Sequence, residues 1–199
     1  MKTIFSLIVV FFLVLSACGT GESLVRKSGT APSASELTGR WTLVESFEAT
    51  QRELDRAIGA TNGVDEAREL RRLSSAQSKG KRTPKPKVGG LIHVFLENGK
   101  TLKISQSETD LYISFNRSVV EEYHFGEARM IRVGEAAAQR VSGWEDGQFV
   151  VETLGKKGMK LTERYFLIDE GTHLRRHIVL RSKEGEEFSI VQNFSRDAD

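Results

Sequence analysis

The C-terminal half of this 199-residue chain constrains the fold most, because short apolar-alternating runs follow one another there with turn residues between them. Alternation at a period of two indicates half-buried β-strands, and the Asn, Asp and Gly between the runs tolerate the positive φ of tight hairpins. The pattern predicts strands near 40–48, 91–97, 101–106, 110–116, 119–125, 129–133, 138–143, 148–153, 160–168, 173–181 and 187–195. We therefore expect a mainly β protein, an antiparallel up-and-down meander of about ten strands that closes into a barrel and so removes its exposed edges.

A short helical pair is predicted between the first strand and the rest, over 50–77. Apolar residues fall there at three- and four-residue spacings: Leu54, Ala57, Ile58, Val64, Ala67, Leu70 and Leu73. Thr50 to Glu53 fits a capping box, and Gly59 fits the end of the first helix. The residues at 79–90 then form an exposed basic loop, because prolines oppose helix and charges oppose burial.

The N-terminus carries a secretory signal. Lys2 gives a charged start, and the apolar run from Ile4 to Leu15 is shorter than the roughly 20 residues that span a bilayer. We expect a signal peptide over 1–17, a flexible tether rich in Gly, Ser and Thr over 18–36, and one folded domain over 37–199. A net charge of +2 gives no reason to expect nucleic acid as a partner.

Leu15-Ser16-Ala17-Cys18 resembles the bacterial lipobox. The resemblance implies acylation of Cys18 by diacylglyceryl transfer and N-acylation, with chains such as palmitate. Two or more such chains anchor a protein firmly to a membrane. Gly19, in place of the Asp that commonly signals inner-membrane retention, implies the outer membrane, facing the periplasm. A plain signal peptide with a coincidental Cys is the alternative.

Leu37-Thr38-Gly39-Arg40-Trp41 resembles the Gly-x-Trp motif that opens the first strand of lipocalins, and the whole domain resembles a calycin-type barrel. The order of strand, helical pair and hairpin-linked strands is closer to that of fatty-acid-binding proteins. Their Arg-x-Tyr ligand pair does not occur here, since Arg164 and Tyr165 are adjacent and point to opposite faces of a strand. By the lipocalin resemblance, Arg196 would stack on Trp41 and close the barrel base, a structural role.

Candidate ligand-binding residues lie on the faces that alternation turns inward. Arg176 shares its face with Leu174 and Ile178, where a guanidinium needs a carboxylate or an anionic ligand. Glu163 on the preceding strand is a possible partner. The other candidates are Tyr165, Tyr123 and Gln192. A structural ion pair and ordinary core packing are the alternatives for these residues.

No catalytic motif and no metal-binding spacing occurs in the sequence, so we expect no enzyme activity, no metal and no cofactor. The histidines are His93, His124, His173 and His177, and the last two would lie too far apart along a strand to share a metal. Two functions remain open. One is a membrane-anchored lipoprotein of the bacterial envelope that binds a small hydrophobic or amphipathic ligand in its barrel. The other is a ligand-free structural or interaction module that binds a protein partner.

Overall fold

The computed structural model describes residues 21–33, 35–61, 92–134, 136–155 and 158–197. The predicted signal peptide 1–17, the acylation site Cys18, the second half of the helical pair and the basic loop 79–90 lie outside these ranges.

Ten antiparallel strands form one sheet. They are β1 Gly39–Leu43, β2 Thr101–Gln106, β3 Asp110–Phe115, β4 Val119–His124, β5 Glu127–Val133, β6 Ala136–Glu145, β7 Gln148–Gly155, β8 Lys160–Ile168, β9 His173–Arg181 and β10 Glu187–Arg196. The order across the sheet is β4-β3-β2-β1-β10-β9-β8-β7-β6-β5. Because β1 pairs with both β2 and β10, the first and last strands join and the meander curls into a nearly closed barrel. The predicted fold class is confirmed.

The ladder is interrupted in one place among the described strands, between β4 and β5. Side chains of β6 reach across this gap to β4. The Ser142 hydroxyl donates to the His124 carbonyl at 2.8 Å, and Arg140 pairs with Glu121 at 2.9 Å. The Gly126 N–H also donates to the Ser142 carbonyl at 2.8 Å. These contacts close the barrel wall where strand pairing stops.

Two apolar clusters fill the described interior, one at each end of the barrel. The lower end carries the β6–β7 turn at 146–147, and its cluster includes Trp41, Phe149 and Phe194. The upper end carries the end of β7, the start of β8 and the connection at 182–186, and its cluster includes Leu161 and Leu180. The strand residues of both clusters alternate along their strands, as the period of two predicts.

One helix follows β1 and spans 47–61 of the described residues, at the upper end. Its face with Leu54 and Ala57 is buried against the upper cluster. The predicted first strand 40–48 is too long and the predicted capping box is misplaced, because the Ser46 hydroxyl accepts the Ala49 N–H at 3.4 Å and starts the helix earlier. Gly59 lies inside the helix rather than at its end. In the described ranges no helix is long and apolar enough to cross a membrane.

The predicted strand 91–97 is wrong. Residues Ile92–Phe95 form a short 3-10 helix, and the turn predicted at Glu97 to Lys100 therefore joins no hairpin. Ile92 and Phe95, three residues apart, are the buried pair. A spacing of three fits one turn of 3-10 helix, which places both side chains on one face.

The predicted tether is also wrong where it is described. Residues 21–33, called here the N-terminal segment, lie against the outer face of the barrel. Lys27 pairs with Glu145 at 2.7 Å and with Glu152 at 3.3 Å, and Ser28 forms a β-bridge with Trp144. These contacts offset the chain entropy that the Gly- and Ser-rich composition would otherwise favour.

Candidate functional site

Arg176 lies in the middle of β9 and points into the barrel. The inward residues Leu174, Arg176 and Ile178 are fully buried, at 0% exposure, whereas their neighbours along the strand are half-buried. The pairing register sets Tyr165 of β8 and Gln192 of β10 directly beside Arg176. Side chains opposite one another in a sheet share a face, so all three point inward.

Glu163 neutralises Arg176. Both Nε and Nη2 of the guanidinium donate to Glu163 Oε2, the former at 3.0 Å, and Glu163 is only 2% exposed. The Tyr165 hydroxyl donates to the same carboxylate oxygen at 2.8 Å. The guanidinium also lies 5.1 Å from the Phe115 ring centroid and 5.5 Å from that of Tyr165. The predicted candidates Arg176, Glu163 and Tyr165 thus form one contact group.

Burial fixes the protonation states around this pair. It raises the pKa of the Tyr165 and Tyr123 hydroxyls well above their usual value, so both phenols stay neutral. Burial acts to lower the pKa of Arg176, but Tyr165 and Glu163 act to raise it, and the pKa is raised overall. The guanidinium therefore remains charged. The group therefore holds one cation, one carboxylate and neutral hydroxyls.

A second buried arginine, Arg140 of β6, is absent from the sequence-based candidates. Its Nη1 pairs with Glu121 Oε2 at 2.9 Å, and its Nε donates to Thr153 Oγ1 at 3.1 Å. Its guanidinium lies 5.7 Å from the ring centroid of Tyr123, another predicted candidate. The available signal was the inward face of β6, where Arg140 alternates with alanine and serine.

Residues 92–98, called here the inner segment, connect the two arginines. The Glu97 carbonyl accepts from Arg176 Nη2 at 2.8 Å, and the Phe95 carbonyl accepts from Arg140 Nη2 at 3.3 Å. The inner segment is part of no strand, yet it satisfies donors of both buried guanidiniums.

The predicted candidate Gln192 extends the polar group to the helix. Its Oε1 accepts from Arg176 Nη1 at 3.1 Å, and its Nε2 donates to Asn98 Oδ1 at 2.8 Å. Asn98 Nδ2 in turn donates to Gln51 Oε1 at 2.8 Å. Movement of the inner segment would therefore disturb both the buried arginine and the helix over the barrel.

The two buried arginines and their polar partners, called here the polar layer, carry no net charge. Glu163 balances Arg176, and Glu121 balances Arg140. It lies between the two apolar clusters. An added anion would place an uncompensated charge in this interior, which is costly. An uncharged carbonyl or hydroxyl oxygen would replace the two backbone carbonyls without that cost.

The lower end is closed by the residues of the Gly-x-Trp motif. The Arg196 guanidinium lies 4.2 Å from the Trp41 ring centroid, and its Nη1 donates to the Thr38 carbonyl at 2.9 Å. A Cβ on Gly39 would lie 2.8 Å from Arg196 Nη1 and 3.2 Å from Trp41 Nε1, so the stack needs a residue without a side chain. The arrangement is structural and lies apart from Arg176.

The histidines form no metal centre, and no group of three or more possible ligands occurs among the residues that the structure describes. His124 instead pairs with Asp110 across β3 and β4, at the surface. Glu122 Oε1 lies 3.9 Å from His124 Nε2, and the negative charge of Glu127 also favours the protonated ring. The hydrogen bond to Asp110 raises the pKa of His124 above 6.5, and hydrogen bonds from Thr109 and His124 lower that of Asp110.

We expect His124 to titrate above pH 6.5 in an NMR titration of its ring protons, and Asp110→Asn to bring the midpoint back toward that value. Because the folded pKa is raised, the stabilisation is complete below the unfolded pKa and is lost as pH rises through the folded one. Glu122→Gln, which removes a more distant carboxylate, should shift the midpoint less. An unchanged midpoint in Asp110→Asn would contradict the pairing.

The fold and the interior define a class: a ten-stranded antiparallel barrel with a helix after the first strand and a charge-balanced polar layer inside. A scan against protein-family models finds no match to this chain, and a search of curated proteins also finds none.

Several solved structures are similar. A secretory abundant heat soluble (SAHS) protein from Ramazzottius varieornatus has a TM-score of 0.45 and 12% identity, over 85% of this chain and 100% of that one. Secretory abundant heat soluble protein 4 from the same organism has 0.45 and 13%, over 81% and 94%. Human cRBP IV has 0.44 and 18%, over 81% and 98%. At these identities and TM-scores, the description of the barrel rests on its own strand order and contacts.

Proposed function

We propose that this protein is a bacterial envelope lipoprotein, anchored by acylated Cys18 in the outer membrane and facing the periplasm, whose barrel binds an uncharged amphipathic ligand. It acts as a binding protein and not as an enzyme. The observation that carries the ligand proposal is the position of the inner segment, whose backbone carbonyls accept hydrogen bonds from the two buried arginines. The lipobox at Leu15 to Cys18 supports the anchor.

A buried ion pair supports a binding role because it contributes little to stability. Burying Arg176 and Glu163 costs desolvation that their attraction only partly offsets, and apolar residues of similar size would often stabilise the barrel as well or better. Polar groups that converge within apolar surroundings are how small-molecule sites orient a ligand. The Arg176 and Arg140 guanidiniums would donate to the ligand's polar end, and the apolar clusters would contact its hydrocarbon.

The charge balance selects the class of ligand. Each guanidinium is already neutralised by its own glutamate, so a fatty acid would bring one negative charge too many into the interior. A monoacylglycerol or another neutral lipid brings ester and hydroxyl oxygens, which accept hydrogen bonds as the Glu97 carbonyl does. Neutral amphiphiles should therefore bind more tightly than anionic ones.

A specific observation favours a second function, a ligand-free module. All three guanidinium nitrogens of Arg176 donate to acceptors within the chain. The acceptors are Glu163, Gln192 and the Glu97 carbonyl. A barrel satisfied in this way needs no ligand to complete it. The protein would then act through its outer surface on an envelope protein partner.

The deciding experiment is native mass spectrometry of the full-length protein, extracted from its membrane in detergent, followed by lipid extraction and titration with 1-monooleoylglycerol or oleate. We expect a co-purifying neutral lipid, and tighter binding of monooleoylglycerol than of oleate. Arg176→Gln should lose both the co-purifying mass and the binding, because a glutamine cannot donate to Glu163, Gln192 and Glu97 together.

Arg175→Gln is the matched control, because Arg175 lies one residue away on the outward side and donates to Asn193 Oδ1 at 2.9 Å. It should bind as the wild type does, and circular dichroism should show both variants folded. Tighter binding of oleate would contradict the neutral ligand. An apo mass in the wild type, with no binding of either lipid, would favour the ligand-free module.

A further inference from the structure

The N-terminal segment crosses the outer face of the barrel from the upper end to the lower end. Near its start, Glu22 pairs with Arg181 at the upper end of β9. Leu24 then packs on Val141 and Leu154, and Ser28 pairs with Trp144 close to the lower end. The segment therefore fixes the direction in which the chain leaves the barrel.

The charged contact in the middle of the segment is a partly buried network around Lys27. Lys27 is only 7% exposed, and its ammonium lies between Glu145 and Glu152. Both carboxylates have a second partner, Arg164 at 2.9 Å and Lys160 at 2.6 Å. A partly buried network of alternating charges holds its members more strongly than an isolated surface pair does.

Glycines allow the close approach. A Cβ on Gly143 would collide with the Ser28 carbonyl oxygen and lie 2.9 Å from the Gly126 nitrogen. A Cβ on Gly126 would lie 3.1 Å from the Gly29 Cα. Where the segment passes β6 and the turn between β4 and β5, backbone thus packs directly on backbone. The crossing is specified by the sequence of both partners.

The described segment begins at the upper rim. Gly21 lines a cleft of about 260 Å³ there, together with Met130, Leu154 and Gly158. Cys18 is three residues before Gly21. Since an extended chain covers at most about 3.6 Å per residue, Cys18 lies within roughly 11 Å of this rim. No rearrangement of those three residues can carry the cysteine to the lower end.

We infer that the docked N-terminal segment presents the upper end of the barrel to the lipid bilayer. The inference rests on the proposed acyl anchor at Cys18 and deepens the proposed function, since a barrel held in this way takes its ligand from the bilayer itself. The helix 47–61 and the connection at 182–186 then face the lipid headgroups. The lower end, with Trp41 and Arg196, faces away.

The size of the barrel makes this orientation measurable. The strand β6 has 10 residues. At about 3.3 Å per residue and with the tilt usual in barrels, strands of this length separate the two ends by roughly 25 Å. A probe at the upper end and one at the lower end therefore lie at clearly different depths.

The experiment uses the full-length acylated protein in phosphatidylcholine vesicles that contain a headgroup spin-labelled lipid. Because acylation consumes Cys18, an introduced cysteine is the only free thiol and can carry a fluorophore. Glu184→Cys labels the exposed turn after β9, and Glu108→Cys labels the exposed turn after β2, at the lower end. We expect several-fold stronger quenching at position 184 than at position 108.

Lys27→Ala tests whether docking sets the orientation, and it leaves Glu145 and Glu152 with their other partners. Combined with Gly143→Val, it should undock the segment and reduce the quenching difference to near equality. Lys103→Ala, on an exposed position of β2, is the control and should keep the difference.

Three outcomes distinguish an error in the orientation of the barrel from an error in the acyl anchor at Cys18. If the protein fails to float with vesicles, or if a Cys18→Ser variant floats equally well, the anchor is wrong and the orientation with it. If the protein floats by Cys18 but positions 184 and 108 are quenched equally, the orientation alone is wrong. If the difference persists after undocking, the docked segment does not set it.

Discussion

Arg176→Ala is expected to lower the free energy of unfolding by about 3–5 kcal/mol, because it removes one partner of a buried ion pair and leaves the other charged. Glu163, which is 2% exposed in the wild type, would keep a single neutral donor, the Tyr165 hydroxyl, to offset its charge. Equilibrium urea unfolding of the full chain at neutral pH, followed by circular dichroism, measures the loss.

Arg175→Ala controls for loss of an arginine from the same strand, and it should cost about 1 kcal/mol or less, since it removes one half-buried hydrogen bond. The double variant Arg176→Met with Glu163→Leu should recover most of the stability, because apolar residues can replace a buried pair at little cost. An Arg176→Ala variant as stable as Arg175→Ala would show that the pair is not desolvated.

The double variant also separates stability from binding. If Arg176 and Glu163 serve only the fold, a variant with the apolar pair should keep every property of the wild type. If they serve a ligand, that variant should be stable yet unable to bind 1-monooleoylglycerol. A buried pair at positions where apolar residues would serve the fold equally well points to a role beyond packing.

The sequence was sufficient to predict the walls of the barrel and the inward residues of its later strands. In β8, β9 and β10 a strict period of two places Glu163, Arg176 and Gln192 on the same side as large apolar residues. Antiparallel hairpins keep neighbouring strands in register, so the contact between Glu163 and Arg176 follows from alternation and turn position. These are local patterns, and local patterns can be read from a single chain.

The inner segment could not be predicted, because its conformation depends on distant partners. Ile92, Val94 and Leu96 alternate with other residues as a strand would. The decisive contacts are those of the Phe95 carbonyl with an arginine 45 residues away and of the Glu97 carbonyl with one 79 residues away. Tertiary hydrogen bonds of this kind override a weak local preference.

The N-terminal segment shows the same limit. Its content of Gly, Ser and Thr is typical of a tether, and composition alone gives no reason for it to dock. Docking depends on the contact of Lys27 with two carboxylates and on the room that Gly143 leaves for Ser28. Each of these contacts joins residues that are more than a hundred positions apart in the chain. Arg140 was missed for a related reason, since one arginine among small residues carries no motif.

The lower end provides the second large effect. Trp41→Ala is expected to cost about 3–5 kcal/mol, as for other fully buried aromatic residues replaced by alanine. Trp41 is 0% exposed, and its strand β1 pairs with both β2 and β10, so the ring packs at the seam where the first and last strands close the barrel. Urea unfolding measures the total loss.

Hydrogen exchange locates that loss. If Trp41 closes the seam, its replacement should expose the amides of β1 and of the facing residues Phe194 to Arg196, while β6 and β7 keep their protection. Arg196→Ala removes the stacked cation and its hydrogen bonds to the Thr38 and Gly171 carbonyls, and it should cost about 0.5–2 kcal/mol. Uniform loss of protection around the barrel would mean that Trp41 does not hold the seam and that β1 is fixed by its ladders alone.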